Sequence, residues 1–188
     1  AATPDVLYSS DFGATWTATA ADPLAVSEKI ASIVCFPVSR NTIRVIALLG
    51  TTRVGGPCVV SYSDDLGATW TSVSVGATNA LFGEGPNSMW FFDSYTGWII
   101  TSAGHIFQTT DGGITWTEQD TGTTLGGDGH AIHFATDRVG AAVGAAGKVA
   151  VTEDGGQTWT LKTVVGAFIL SAVWVIDSDH IWVGAENG

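Results

Sequence analysis

The sequence predicts an all-β protein built from a repeated four-stranded antiparallel unit. The pattern (Ser/Thr)-x-Asp-x-Gly-x-Thr-Trp occurs four times, at residues 9–16, 63–70, 109–116 and 152–159. Short apolar runs bounded by turn residues fill the segments between the copies. The chain of 188 residues contains 24 Gly and 8 Trp, a composition that suits many short strands joined by tight turns. Repetition of this kind indicates copies of one supersecondary unit.

Each copy of the pattern is predicted to be a turn between two strands. The Asp carboxylate accepts N–H groups of its own turn, and the Gly two residues later supplies a positive φ. The Trp anchors the outgoing strand. We expect no catalysis or metal binding here, because one carboxylate per unit leaves the four too far apart for shared chemistry. The residues given this structural role are Asp11, Gly13, Trp16, Asp65, Gly67, Trp70, Asp111, Gly113, Trp116, Asp154, Gly156 and Trp159.

Four strand positions, A to D, recur in order along the chain. Four-stranded units arranged around a channel are the blades of a β-propeller. In the predicted alignment of the third unit, Phe134 takes the position of Trp90 and Ala142 that of Trp98. In the first unit, Arg44 takes the position of Trp98. The predicted strands are Ile30–Phe36, Thr42–Leu48, Cys58–Ser63 and Thr69–Val75, then Met89–Phe92, Gly97–Thr101, His105–Thr110 and Thr115–Gln119, then Ala131–Ala135, Gly140–Val143, Lys148–Thr152 and Thr158–Val164.

The two ends of the sequence each supply half a unit. Val6–Ser9 and Thr15–Thr19 have the pattern of a C–D pair, and Ile169–Ile176 and His180–Val183 that of an A–B pair. The chain therefore holds four blades' worth of strands in one domain, residues 1–188. Two arrangements stay open. If the chain is complete, the ends share one blade in which Val6–Ser9 pairs antiparallel with His180–Val183; otherwise the chain is a slice of a six- to eight-bladed ring.

The repeated pattern resembles the Asp-box, or BNR repeat, of sialidase-like β-propellers. The second unit, with Phe92-Asp93, Gly97-Trp98 and Thr110-Asp111-Gly112-Gly113, resembles still more closely the repeat of the Ycf48-like photosystem II assembly factors. The resemblance covers essentially the whole chain. It implies a propeller whose boxes lie on the outer rim, away from any active site, and an assembly or scaffold role.

Composition narrows the classes of partner. With 7 basic and 18 acidic residues the net charge is −11, which repels the phosphates of nucleic acid and anionic membrane surfaces. No apolar run reaches the 18 residues of a transmembrane helix. His130 and His133 are three apart on an extended segment, so their side chains are expected to point to opposite faces and not to form a metal pair. The sequence contains no zinc-ligand spacing, and we expect neither a metal nor a cofactor.

A sialidase activity is not expected. The resemblance implies three arginines that hold the substrate carboxylate, on the face where the D–A and B–C loops open. Arg40 and Arg138 are predicted at A–B turns on the opposite face, and Arg44 lies inside a B strand. Only Arg53 is predicted on the required face. We therefore expect that the protein is not an enzyme.

One surface of the predicted propeller is a candidate binding site. The longest loops, Gly50–Pro57, Gly76–Ser88 and Asp120–Gly129, all open on the face just named. Long loops on a rigid scaffold are where binding usually resides. The alternative is that these loops are solvated and have no partner. The candidate contacts are Arg53, Phe82, Glu84, Asp128 and His130.

The predicted function is that of a non-catalytic structural or protein-interaction module. An acidic, Ala-, Gly- and Thr-rich propeller suits a bacterial envelope or virion surface, and hence an extracellular setting. The resemblance to the Ycf48-like type implies a basic patch that contacts membrane-protein clients, whereas this chain is acidic. The alternative function is a glycan-binding or glycoside-hydrolysing, sialidase-like domain.

Two expectations concern side chains outside these sites. Cys35 and Cys58 are predicted at opposite ends of one blade, whereas a disulfide needs Cα atoms within about 7 Å. We therefore expect two unpaired, mostly buried thiols. The tryptophans fall at repeat positions and should pack between blades, with Trp98 and Trp182 as partial exceptions.

Overall fold

The computed structural model describes residues 6–21, 29–50, 58–75, 86–119, 125, 128–166 and 168–186. These residues form short strands and one 3-10 turn at Ala145–Gly147. The strands are β1 Leu7–Tyr8, β2 Thr17–Ala18, β3 Lys29–Ser39, β4 Thr42–Gly50, β5 Cys58–Ser63, β6 Thr71–Val75, β7 Pro86–Phe91, β8 Gly97–Thr101, β9 Ile106–Thr109, β10 Thr117–Glu118, β11 Gly129–Phe134, β12 Gly140–Gly144, β13 Lys148–Thr152, β14 Thr160–Thr163, β15 Ile169–Val175 and β16 Ile181–Glu186. No helix among them is long and apolar enough to cross a membrane.

Antiparallel sheets of four strands are the main units of the structure. In the described part of the chain, three such sheets have the strand orders β3-β4-β5-β6, β7-β8-β9-β10 and β11-β12-β13-β14. We call them the first, second and third blades. Two further sheets contain two strands each, β1-β2 and β15-β16. The predicted all-β fold of four-stranded antiparallel blades is confirmed.

The blades pack face to face through apolar side chains. Strands β8 and β12 are buried along their whole length, because each lies inside its blade and is covered on both faces. Ile46, Leu48, Met89 and Phe107 belong to one cluster between the first and second blades. A second cluster, which includes Trp98, joins the second and third blades. The core of the protein therefore lies between blades.

The outermost strands begin later than predicted. Each was expected to start at the Thr of its box, but β10 begins at Thr117 and β14 at Thr160. The reason is local. The N–H of Thr115 donates to the Asp111 carboxylate rather than to a neighbouring strand, so the sheet pairing starts only after the box Trp.

The predicted alignment of the third blade is wrong by one residue. Phe134 pairs with Gly140, as Phe91 pairs with Gly97. His133, not Phe134, therefore occupies the position of Trp90. Ala141, which pairs with His133, occupies the position of Trp98.

The shift has its cause in the A–B turn. In the second blade, Asp93 Oδ1 accepts the N–H groups of Tyr95 and Thr96. In the third blade, Thr136 Oγ1 accepts the N–H groups of Arg138 and Val139. Asp137, which was aligned with Asp93, is the next residue along the chain. A hydroxyl thus replaces the expected carboxylate in the turn.

The first blade is shifted as well. Gly97 of the second blade pairs with Thr109, the first residue of its box, and Val45 of the first blade pairs with Ser63 in the same way. Ile46, the next residue, therefore occupies the position of Trp98. The predicted placement of Arg44 there is wrong, because β3 and β4 stay paired beyond Cys35 and Val45 as far as Ser39 and Thr42, so the hairpin of the first blade is longer.

The two half units are docked on opposite end blades and do not form one sheet. Ala21 N–H donates to Gly67 O and Trp70 Nε1 donates to Ala21 O, which ties the β1–β2 end to the first blade. Strand β15 packs on β11 and β12 of the third blade. The predicted pairing of Val6–Ser9 with His180–Val183 is therefore not present in this structure.

The cysteines lie at opposite ends of the first blade. Cys35 pairs with Val45, which faces the last residue of β5, whereas Cys58 is the first residue of β5. Cys35 carries a free thiol that is exposed, and Cys58 is buried. The expectation that both are mostly buried is wrong for Cys35, because it lies on the open face of the first blade.

Candidate functional site

The box turns use their carboxylates internally. Asp111 accepts the N–H of Thr115 at 2.9 Å and its hydroxyl at 2.5 Å. Thr109 Oγ1 donates to Asp111 at 2.8 Å and accepts the N–H of Gly113 at 2.9 Å. The boxes at residues 9–15, 63–69 and 152–158 have the same bonds. Each carboxylate is therefore occupied by its own turn.

These bonds also fix the charge of the box carboxylates. Hydrogen bonds from the box Thr lower the pKa of Asp11, Asp65 and Asp154 to about 2. At Asp111 burial opposes the shift, but the bonds from Thr115 still lower its pKa. A carboxylate that stays ionised and has its lone pairs occupied is poorly suited to act as a general acid.

The predicted binding face is described in part. Arg53, Phe82 and Glu84 lie outside the described residues. Asp128 lies just before β11 and His130 is its second residue. Asp128 Oδ2 is 3.3 Å from His130 Nε2, a close polar contact without hydrogen-bond alignment. The carbonyl of Asp128 accepts the N–H of Ala145 at 2.9 Å, which fixes this loop end to the β12–β13 turn. We call this face, where the D–A and B–C loops open, the loop face.

Sequence reasoning missed a second histidine–carboxylate pair on the loop face. His105, just before β9, contacts the Glu118 carboxylate on β10 through Nδ1. His105 and Glu118 belong to different strands of the repeat. They meet only because β9 and β10 pair antiparallel, with Glu118 opposite Phe107. The second and third blades thus each place one partly exposed histidine–carboxylate pair on this face.

A cluster of aromatic rings joins the innermost strands at the opposite, box end of the blades. Trp90, His133 and Trp174 occupy one equivalent position on β7, β11 and β15. The His133 ring lies 4.2 Å from the Trp90 ring and 4.0 Å from the Trp174 ring, measured between centroids. This cluster could not be predicted from the sequence, because the predicted alignment placed Phe134 instead of His133 at this position.

The imidazole of His133 is neutral and holds its proton on Nε2. Val175 N–H donates to Nδ1 at 3.1 Å, which makes Nδ1 the acceptor nitrogen. Burial lowers the pKa of His133, which favours the neutral form. Within the described residues, neither His133 Nε2 nor Trp90 Nε1 has a hydrogen-bond partner.

Arg44 is occupied within the protein. Its Nε and Nη2 donate to the two carboxylate oxygens of Asp64, both at 2.7 Å. Its Nη1 donates to Gly112 O at 3.1 Å, and the guanidinium lies over the Tyr62 ring. The side chain therefore links the first blade to the box of the second and is not available to hold a substrate carboxylate.

Tryptophans at equivalent positions differ in burial. Trp98 was predicted to be partly exposed, but it is 0% exposed between the second and third blades. Trp174 and Trp182 on the β15–β16 sheet are 56% and 69% exposed, and Trp16 of the first box is 63% exposed. The exposed apolar surface is thus concentrated on the two half units. Among the residues described, no group of three or more His, Cys, Asp or Glu side chains could hold a metal ion.

Comparisons with known proteins identify the fold. A scan against protein-family models gave no match, and neither did a search of curated proteins. The Ycf48 structure from Cyanidioschyzon merolae matches 88% of the chain with 18% identity and a TM-score of 0.60. A structure of Ycf48 bound to D1 peptide matches 78% of the chain with 20% identity and a TM-score of 0.59.

Glycoside hydrolase structures are also similar. The GH74 enzyme of Niastella koreensis matches 85% of the chain with 22% identity and a TM-score of 0.57. The chain spans 59% and 43% of the two Ycf48 chains and 26% of this enzyme. At these identities the similarity concerns the fold. The chain has the β-propeller fold that the Ycf48 and GH74 structures share.

Proposed function

We propose that this chain is a non-catalytic β-propeller module that binds a protein partner through its loop face. The observation that carries the proposal is the pair of partly exposed histidine–carboxylate contacts, His105 with Glu118 and Asp128 with His130, on adjacent blades of that face. Exposed polar groups on loops held by a rigid scaffold are typical of recognition surfaces. The Ycf48 structure with a bound D1 peptide supports the choice of a protein partner.

The proposal assigns no catalytic residue. The box aspartates are ionised and bonded within their turns, and the Asp64 carboxylate holds Arg44. A glycoside hydrolase needs two facing carboxyl groups, one of them with a raised pKa. The box aspartates show the opposite shift, because the hydrogen bonds of their own turns lower their pKa. The similarity to GH74 enzymes supports the alternative of a glycan-processing domain only through the shared fold.

We further propose that the protein works at a bacterial envelope or virion surface. The support is compositional: a net charge of −11 with few basic residues. Such a charge keeps a protein soluble and away from anionic membranes and nucleic acid. A partner with a basic or histidine-rich segment would suit the exposed Glu118 and Asp128 carboxylates.

Selection of peptides from a display library tests the proposal. We expect the enriched peptides to bind the wild-type chain. Each of the variants His130→Ala and Glu118→Ala should bind the same peptides at least tenfold more weakly. Tyr95→Ala is the matched control, because Tyr95 is 58% exposed and lies at an A–B turn, away from the loop face. Peptides that bound all variants equally would place recognition elsewhere, and a failure to enrich any peptide would contradict the proposal.

A further inference from the structure

We propose that His133 is an acid-sensitive joint between the third blade and the β15–β16 sheet, and that its protonation loosens β15 from β11. The inference goes beyond the proposed function, because it concerns the packing of one sheet on another and not recognition at the loop face. The joint is one hydrogen bond, in which the N–H of Val175 on β15 donates to Nδ1 of His133 on β11 at 3.1 Å. His133 is only 4% exposed, so water has little access to this bond.

The direction of the Val175 N–H explains why a side chain receives it. The next residue, Ile176, donates its N–H to the carbonyl of His180, which begins the return towards β16. The N–H groups of successive strand residues point to opposite edges of the strand. The Val175 N–H therefore points away from β16. It meets the ring of His133, because β15 packs on β11.

Histidine differs here from the residues that occupy the same position in the other blades. Val34 on β3 and Trp90 on β7 are its equivalents, since Val34 pairs with Ile46 as Trp90 pairs with Trp98. A valine side chain has no polar atom, and an indole nitrogen only donates. A neutral imidazole has one acceptor nitrogen and loses it on gaining a proton. Only the third of these positions can therefore make a contact that depends on protonation.

Protonation removes the bond. In the imidazolium form both ring nitrogens are donors, so an N–H at Nδ1 would face the N–H of Val175. Two donors cannot bond to each other, and a charge would be placed in a buried site. The ring therefore has to leave its position, or β15 has to move away from it, before a proton can be held at Nδ1.

No counter-ion waits for the proton on the strands around His133. The strands that pack on β11 are β7, β8, β12 and β15, and none of them contains an ionisable side chain. On β11 itself the other ionisable residue is His130, which contacts Asp128 at the loop face. An imidazolium at His133 is thus uncompensated by these strands.

The A–B turns at the box end contain the carboxylates nearest along the chain to this cluster. These are Asp93, Asp137 and Asp177, which follow β7, β11 and β15. Asp93 and Asp177 accept N–H groups of their own turns, and Asp177 also contacts the ring of His180. These turns therefore use their carboxylates locally.

The two indole rings beside His133 reduce the cost of charging it. The Trp90 and Trp174 ring centroids lie 4.2 Å and 4.0 Å from the imidazole centroid. Aromatic rings attract a cation through their faces. This attraction offsets part of the desolvation cost, and it places protonation of His133 above the acid range in which the box carboxylates are neutralised.

The direction of the pH effect follows from burial. Burial lowers the pKa of His133 in the closed joint, whereas an imidazole in water has a pKa of about 6.5. The open form therefore binds more protons than the closed form between these two values. The joint is stable above about pH 6.5, and across this window its opening increases about tenfold for each pH unit of acidification.

Amide hydrogen exchange of Val175, followed by NMR on the 188-residue chain, tests the proposal. The protection factor, corrected for the intrinsic pH dependence of exchange, should be constant above about pH 6.5 and fall about tenfold per pH unit below it. The amide of Ala142, on the central strand β12, should keep its protection. Measurements end at about pH 4.5, where the box carboxylates, with pKa values of about 2, are still ionised.

Two variants assign the effect to one ring. His133→Asn places an oxygen acceptor close to the position of Nδ1 but has no proton to gain, so the Val175 protection should become independent of pH. His180→Asn is the matched control, because His180 is an exposed histidine at the turn after β15. It should show the pH dependence of the wild type.

Several results would overturn the proposal. One is an unprotected Val175 amide at neutral pH, or a protection factor that acid leaves unchanged. Another is a pH dependence that persists in folded His133→Asn or disappears in His180→Asn. If His133→Asn does not fold, the wild type still decides, because the ring signals of His133 must titrate together with the Val175 protection and a separate midpoint would refute the joint. Peptide binding at neutral pH probes the loop face alone, so the two proposals can fail separately.

Discussion

Trp98 of the second blade donates its indole N–H to the carbonyl oxygen of Gly155 in the third blade, at 3.3 Å. Arg44 of the first blade makes the corresponding contact with Gly112 of the second, at 3.1 Å. Gly112 and Gly155 occupy the same place in their boxes. The box is therefore more than a local turn, because its carbonyl is the acceptor for a donor on the preceding blade. Its fixed shape keeps that acceptor in position.

Removal of a box carboxylate should destabilise the fold. Asp111→Ala leaves the N–H groups of Ile114 and Thr115 without their acceptor, and we expect a loss of about 1–3 kcal/mol in the free energy of unfolding. Denaturant unfolding measures it. Asp137→Ala is the control, since Thr136 accepts the N–H bonds of its turn. An Asp111→Ala variant with unchanged stability that lost peptide binding would contradict the structural role.

Stability should fall in acid through the same carboxylates. The pKa of Asp11, Asp65 and Asp154 is lowered to about 2 in the folded protein, against about 3.9 in an unfolded chain. Because the folded value is the lower one, the contribution is present above the unfolded pKa and is lost as pH falls towards 2. Unfolding curves between pH 5 and 2 should show this, with a smaller slope in Asp65→Asn. An equal slope in that variant would assign the acid sensitivity to other groups.

The A–B turn of the third blade should depend on a hydroxyl. Thr136 Oγ1 accepts the N–H groups of Arg138 and Val139. Thr136→Ala should therefore cost about 1 kcal/mol of stability, and Thr136→Ser should restore it. If Asp137→Ala were the more damaging change, the register of β11 and β12 described above would be wrong.

The interface between the second and third blades should respond to the loss of one N–H group. Trp98→Phe keeps a ring against Phe134 but removes the donor to Gly155, and we expect a loss of about 1 kcal/mol from the hydrogen bond, with a further loss from reduced packing. Trp182→Phe is the matched control, because Trp182 is exposed. Equal effects of the two substitutions would show that burial of Trp98 does not stabilise the fold.

Repetition explains why much of the fold was predictable. The Asp, Gly and Trp of each box are close in sequence, so the turn between strands such as β9 and β10 could be inferred from spacing alone. Register was harder, because it depends on the length of each A–B turn. A Thr in place of Asp moved the third blade by one residue, and a longer β3–β4 hairpin moved the first.

The interaction surfaces were less predictable for a physical reason. His105 and Glu118 meet only through strand pairing, and Trp90, His133 and Trp174 meet only through the packing of three sheets. Burial of a repeated Trp depends on whether another blade covers it. Trp98 and Trp182 have the same local sequence pattern and opposite exposure.

An assay of glycoside hydrolysis tests whether this propeller lacks catalytic activity. The pure chain would be incubated with a fluorogenic sialoside and, separately, with xyloglucan oligosaccharides. We expect no turnover above the buffer control, because the box carboxylates are ionised and bonded within their turns and Arg44 is held by Asp64. Turnover that disappeared in Glu118→Gln or Asp128→Asn would contradict it and would make the loop face an active site.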